Sequence, residues 1–246
     1  MKKGYRVLAA VVFLMALLSN CATVQPPFLV KIDSIKADSS AGKKTYILLP
    51  GNKNTSPDEL QFREFSGYVH RALSAQGFKQ ASSFEEADLA IFVVYGIGDP
   101  QEHQYTYSLP VWGQTGVSSS TTFGTLSTYG GLGTYSGTTV YTPTYGTTGY
   151  TTHVETYTTY PRYMLLDAYD LNVYRKEKKE VQSWKTTVTS TGSSDDLRRV
   201  FPVLAAASKQ YIGSNTGRKV EIQLYETDSA VIEIKGVVVG QSEVKK

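Results

Sequence analysis

Residues 89–97 read LAIFVVYGI, nine positions without a single charge. β-branched and aromatic side chains dominate the run, and no polar residue marks a solvent face. A stretch this short and this uniformly apolar is expected to be a central strand covered on both sides. Everything flanking it has to supply either neighbours for that strand or layers to cover it.

Upstream, FLVKIDSIKA (28–37) and KKTYILL (43–49) have strand composition and are joined by a Ser/Gly turn. Between them and the central run, SPDELQFREFSGYVHRALSAQG (56–77) predicts a helix. Ser56 is placed to cap it, Pro57 falls in the first turn, and Glu59 completes a capping box. Phe62, Phe65, Val69 and Leu73 form one apolar stripe, and Gly77 suits the stop. His70 lies off that stripe and is expected at the surface. FKQA (78–81) is a short strand and SSFEEAD (82–88) a turn.

Downstream, YMLLDAYDLNVYR (163–175), the charged turn KEKKE and VQSWKTTVTST (181–191) form a hairpin pattern with Trp184 directed at the core. Asp167 and Asp170, three apart, face opposite sides of such a strand and make no acid/base pair. SSDDLRRVFPVLAAASKQYIG predicts a second helix with Leu197, Val200, Leu204 and Tyr211 on one face. Pro202 either kinks that helix or marks its true first turn. KVEIQLYE and AVIEIKGVVV suggest closing strands. The fold class expected is α+β, an α/β two-layer domain over 28–103 and 161–240. Its mixed sheet carries two main helices on one face, a long insert interrupts it at 104–160, and residues 241–246 form a tail.

The chain begins MKKGYRVLAAVVFLMALLSNCAT. Lys2, Lys3 and Arg6 precede the apolar run Val7–Leu18. As a helix that run reaches about 18 Å, well short of a bilayer core of roughly 30 Å, so residues 1–20 are expected to be an export signal. LLSNC resembles the bacterial lipobox: Leu18, Ser19 and Cys21 match it, and Asn20 departs from the usual Gly, Ala or Ser. The chain has one Cys, so no internal disulfide is available. Acylation of Cys21 would remove an exposed thiol and anchor the protein in a lipid bilayer, each buried methylene contributing about 0.8 kcal/mol. Residues 21–27 are then a short tether. Ala22, rather than Asp, is the pattern that sends enteric lipoproteins on to the outer membrane, here at its periplasmic face. Removing Lys2, Lys3 and Arg6 from 25 basic residues leaves 22, against 22 acidic ones. A nucleic-acid partner loses its electrostatic basis.

The lipobox, ADLAIFVVY, LLDAYDLNVY with EVQSWKTTV, and RRVFPVLAAA together resemble the bacterial lipoprotein family catalogued as domain of unknown function 4136. The resemblance covers nearly all of the mature chain. It implies an envelope-facing α/β domain with no established active site.

The insert sets the chain apart. Gln104–Tyr160 holds nine of the 18 tyrosines, and Glu155 is its only formal charge. Thr and Tyr favour strands, Gly favours turns, and the high charge typical of disorder is missing. Tyr105, Tyr107, Leu109 and Val111 share one face of an alternating stretch, and 153–160 alternates too. The ends are expected to pair as strands around a mobile middle, 113–149. Three roles compete: a tolerated surface loop, a contact arm, or a membrane-inserting hairpin of a pore-forming oligomer. In the contact arm, Tyr105, Tyr107, Tyr129, Tyr135, Tyr141, Tyr145, Tyr150 and Tyr157 supply area at low entropic cost. Its partner is peptidoglycan, another glycan or another envelope protein. Barrel strands need about nine to eleven alternating residues with an apolar outer face, which only 105–111 approaches.

Catalytic patterns are missing. GTYSG (133–137) places its Ser one position too late for a nucleophile elbow, GNKNTS has no Gly-Lys pair, and GLGTYSG misplaces a glycine of the dinucleotide fingerprint. His103 and His153 flank 104–152 and would meet, with Glu102 and Glu155, if that stretch doubled back closely enough to hold a metal. No catalytic residue and no cofactor is assigned. The function expected is a membrane-anchored, non-catalytic binding or scaffolding module; an envelope hydrolase or metal-dependent enzyme using the insert as a lid is the alternative.

Overall fold

A computed structural model describes residues 25–236 apart from 130 and 131. The signal segment, Cys21, most of the tether and the 241–246 tail lie outside the described residues. Gln101–Thr158 forms one compact unit and the remainder of the described chain the other.

The run at 89–97 is strand β4 (Leu89–Ile97). It lies inside a mixed sheet with β1 (Phe28–Lys36), β2 (Thr45–Pro50), β3 (Lys79–Gln80), β6 (Leu132–Asp170), β7 (Gln182–Gly192) and β8 (Val220–Leu224). The strand order is β3-β2-β4-β6-β7-β1-β8, with β5 (Gln101–Tyr129) pairing only β6. β2 is parallel to β3 and to β4; the other pairs on the path are antiparallel. β1 and β2 are consecutive in sequence but not neighbours. A 3-10 turn at Asp38–Ser40 and Gly42, at φ +81°, carry the chain between them.

Alternation divides the sheet into two faces. Leu89, Ile91, Val93 and Tyr95 of β4 share the main core with Met164, Leu166 and Ala168 of β6 and Val30 and Ile32 of β1. Helix α1 (Leu60–Ala75) adds Phe62, Phe65, Val69 and Leu73, the stripe expected from its spacing. Helix α3 (Leu197–Ser208) adds Val200, Phe201 and Leu204. Phe65 and Phe201 stack at 4.1 Å between ring centroids, 5° from parallel, and Tyr95 meets both edge-on. That geometry ties both helices to β4. Trp184 is buried on β7 as expected. The other face of β4 is covered only in part: Ala87, Ala90 and Leu171 form a small second cluster.

Several local expectations are corrected. α1 begins at Leu60 rather than near Pro57, with Glu59 extended as N-cap and making no side-chain cap bond. Ser56 instead closes a turn, its Oγ accepting from the Asp58 amide at 3.3 Å. DLNVYR does not continue the strand. Asp170 caps helix α2 (Leu171–Glu177), its carboxylate accepting from the amides of Asn172 and Val173. The β6–β7 antiparallel pairing survives with that helix between the strands. Pro202 lies inside α3, whose N-cap is Asp196, so it does not mark the first turn. AVIEIK is helix α4 (Ser229–Lys235), not a strand. Its buried residues, Val231 and Ile234, are three apart, the helical spacing. Gly236 at φ +73° ends it, and Arg71 Nη1 donates to the Ile234 carbonyl at 2.8 Å. His70 is half-buried, with Nδ1 2.8 Å from the Tyr46 hydroxyl.

In the other unit, the stretch expected to be mobile is strand wherever it is described, with β5 running to Tyr129 and β6 starting at Leu132. Threonine pairs knit the ribbon together. Thr122 and Thr139 hydroxyls lie 2.8 Å apart, Ser118 Oγ donates to the Thr142 carbonyl at 3.2 Å, and Thr148 Oγ1 to that of Val111 at 3.1 Å.

Candidate functional site

The ribbon Gln101–Thr158 exposes nearly all its side chains. Tyr105, Tyr107, Tyr129, Tyr135, Tyr141, Tyr145, Tyr150 and Tyr157 are all exposed, from 36% at Tyr107 to 93% at Tyr129. Trp112, Phe123 and Leu126, which were not among the expected binding residues, are exposed as well. Their signal was present in the sequence: each is a large apolar residue in a segment without charge. An isolated two-stranded ribbon is only marginally stable in water. This one is held by strand propensity, the threonine hydrogen bonds and the Tyr135 ring laid over glycine backbone. A Cβ at Gly124 would sit 2.4 Å from the Tyr135 ring, so the tyrosine covers the bare backbone of the opposite strand.

Toward the ribbon's base the rings stack. His103 lies against Tyr157 at 5.0 Å and 21°, His153 against Tyr107 at 5.5 Å and 19°, and Tyr105 against Tyr107 at 5.9 Å. Tyr107 follows His103 by four residues on β5, so the two His–Tyr pairs are about 13 Å apart along the strand. The imidazoles therefore do not converge. Among the described residues no group of three or more His, Cys, Asp or Glu could hold a metal ion.

The apolar residues of the ribbon do not keep one parity. On β5 most lie at odd positions, Tyr105 to Val111, Val117, Phe123 and Tyr129, but Trp112 and Leu126 are even, and on β6 Tyr141 and Tyr145 are odd while Val140, Tyr150 and Val154 are even. No continuous apolar face results, which is the feature a barrel strand requires. No helix among the described residues is long and apolar enough to cross a membrane, which says nothing of β-barrels.

The first unit carries a cleft of about 540 Å³ on the second face of its sheet. Leu49, Phe92 and Val94 form the floor, with Phe84, Asp167 and Tyr169 around them. Gly51 leaves room there, since a Cβ would fall 2.5 Å from Val94 Cγ2. Gln182 Nε2 donates to Asp167, and the Tyr169 phenol is pushed up by burial and then by the Asp167 charge. The phenol therefore stays protonated at neutral pH. Asp170, which also lines the cleft, pairs with Lys43. Burial alone would raise the Asp170 carboxyl, but Lys43 and the two α2 amides outweigh it and hold the carboxyl below its usual range.

The chain matches no protein-family model and no curated protein. Among solved structures it is similar to a PDZ domain protein from Parabacteroides distasonis ATCC 8503, with TM-score 0.35 and 10% identity. That similarity covers 82% of this chain and 40% of the other, and at this level it carries no argument about function.

Proposed function

We propose that the protein is a membrane-anchored lipoprotein of the bacterial envelope, of the domain-of-unknown-function 4136 type. It is held through acylated Cys21 at the periplasmic face of the outer membrane and acts as a non-catalytic binding or scaffolding module. Its body is a two-layer α/β domain with α1 and α3 on one sheet face, a reading supported by their sharing one core. The contact arm is the ribbon. The observation that carries this is the exposed row of tyrosines on paired strands. Rings with two rotatable bonds, set among threonine hydroxyls and almost no charge, suit a neutral polar partner such as peptidoglycan, another glycan or an uncharged protein surface. Charge balance gives no support to a nucleic-acid partner.

The alternative, a hydrolase or metal-dependent enzyme with the ribbon as lid, is disfavoured by the separation of His103 from His153. The pore reading is disfavoured by the broken parity of the ribbon.

Deleting 113–149 tests the arm. Thr148 Oγ1 reaches the Val111 carbonyl, so the cut falls near a cross-strand pair, and an Asn-Gly turn can close it. The shortened chain should fold, stay with membranes, and lose the envelope partner that wild type captures by in-cell crosslinking from Tyr105 or Tyr157, which the deletion keeps. An unchanged crosslinking pattern would remove the arm from the account.

A further inference from the structure

The core-facing row of β6 that contains Met164, Leu166 and Ala168 starts with Arg162, which is 2% exposed. Alternation calls for an apolar side chain there, and a guanidinium stays charged at neutral pH. Nη1 of Arg162 donates to the Ser194 carbonyl and Nη2 to Ser190 Oγ, both at 3.0 Å. Its Nε is buried without a hydrogen-bond partner, and none of the ion pairs among the described residues involves it. Burial first, and then the positive charge of Arg199, push its pKa down.

The surroundings are shaped to hold this side chain. A Cβ at Gly192 would lie 2.9 Å from Nη2, so a glycine is what lets the guanidinium rest along β7. Both Arg162 and Arg199 lie by the ring of Phe28, at 5.7 and 5.8 Å from its centroid. A cavity of about 250 Å³ opens here, lined by Phe28, both arginines, Gly192, Ser193 and Ser194, with Gln25–Pro27 closing it. Its lining holds two cations and no carboxylate. Glu226 pairs with Arg199, and Asp196 accepts from the Arg199 amide as the α3 cap, but neither lines the cavity; nor does Asp195. A buried cation without a counter-charge is costly, and an oxyanion would supply the missing partner.

We infer that this cavity binds a phosphate oxyanion between Arg162 and Arg199. The source within reach, resting on the acylated Cys21 of the proposed function, is a phospholipid headgroup: Gln25 lies four positions after Cys21, a span of at most about 14 Å. A tethered domain would then be oriented on its leaflet by a second, polar contact as well as held by its acyl chains.

The test uses the full chain with Cys21→Ser, so that acyl insertion does not mask headgroup binding. Inorganic phosphate, titrated against chloride at matched ionic strength, should raise the melting temperature. Arg199→Gln should weaken the response about tenfold, and Arg162→Met should abolish it. Because a buried unpaired charge is lost, Arg162→Met should melt no lower than its parent in phosphate-free buffer. Should that variant fail to fold, Arg199→Gln and Gly192→Ala carry the comparison. In a second arm the parent should float with phosphatidylglycerol vesicles and not with phosphate-free galactolipid vesicles, and Arg199→Gln should float less. A phosphate response without flotation assigns the site to free phosphate. No phosphate response, or an equal one in parent and arginine variants, overturns the site. Failure of the lipoprotein reading is seen separately, in the fractionation of wild type against Cys21→Ser, which involves neither arginine.

Discussion

The two units are both built on β-sheet, but they differ in where their side chains go. In the first, β4 and β6 bury Ile91, Val93, Met164 and Leu166 completely, in a core shared with Phe65 and Phe201. In the second, strands just as regular leave Tyr141, Tyr145 and Trp112 exposed. Strand formation alone therefore does not report burial. Thr and Tyr favour extended backbone on either kind of surface, and a core exists only where an apolar layer lies opposite.

The sharpest way to break that contrast is one truncation in each unit. Phe201→Ala removes a ring stacked on Phe65 at 4.1 Å and should cost about 3–5 kcal/mol in urea unfolding. Tyr141→Ala, at a side chain 62% exposed, should change stability by no more than about 0.5 kcal/mol. Comparable losses would mean that the ribbon is packed against something the comparison leaves out. Next in size is Asp170→Ala, which uncaps α2 and strands Lys43, at a cost of about 2–4 kcal/mol. That loss should shrink in acid, where the carboxyl of the parent is itself protonated and the folded-state advantage is gone.

Those two sites also show what the sequence made legible. The stripe that contains Phe65 has a helical period, and the run that contains Ile91 has no polar interruption, so both announced burial from spacing alone. Asp170 carried no such signal, because its role depends on Lys43, 127 positions away, and on a helix whose residues resemble a strand. AVIEIK failed for a related reason. Its alternation is real, but Val231 and Ile234 meet the core three apart, which only the tertiary context selects. For the ribbon, composition supplied the tyrosines but not the continuity of the strands, because cross-strand threonine bonds depend on register. Arg162 escaped notice since a lone arginine in a strand looks like surface until its neighbours are in place.

A smaller effect separates the units by pH. His70 is held below its ordinary value of 6.5, first by burial and then by Arg71. The folded state thus binds fewer protons than the unfolded chain as pH falls below about 6.5, and stability should decline there, by at most about 1.4 kcal/mol per pH unit. Above that window both states are neutral and His70 contributes no slope. His70→Gln should flatten the decline, as read from urea midpoints between pH 8 and 5. A slope unchanged by the substitution would place the acid-sensitive group elsewhere. The Tyr46 hydroxyl, pushed up to about 12 by burial, stays protonated throughout and keeps its contact with His70.

The smallest effect is within the ribbon. Thr122 and Thr139 face each other across the strands with hydroxyls 2.8 Å apart and both side chains in solvent. Water competes for each hydroxyl, so the pair should contribute about 0.2–1 kcal/mol, and Val at either position retains strand propensity. A double-mutant cycle with Thr122→Val and Thr139→Val, read by amide exchange local to 118–142, isolates the coupling from propensity. A coupling within that range means the ribbon is held by many weak cross-strand terms, each dispensable. Zero coupling would leave backbone pairing and the Tyr135 ring laid over Gly124 as its support. Gly124→Ala, which drives a Cβ to 2.4 Å from the Tyr135 ring, would then become the substitution that opens it.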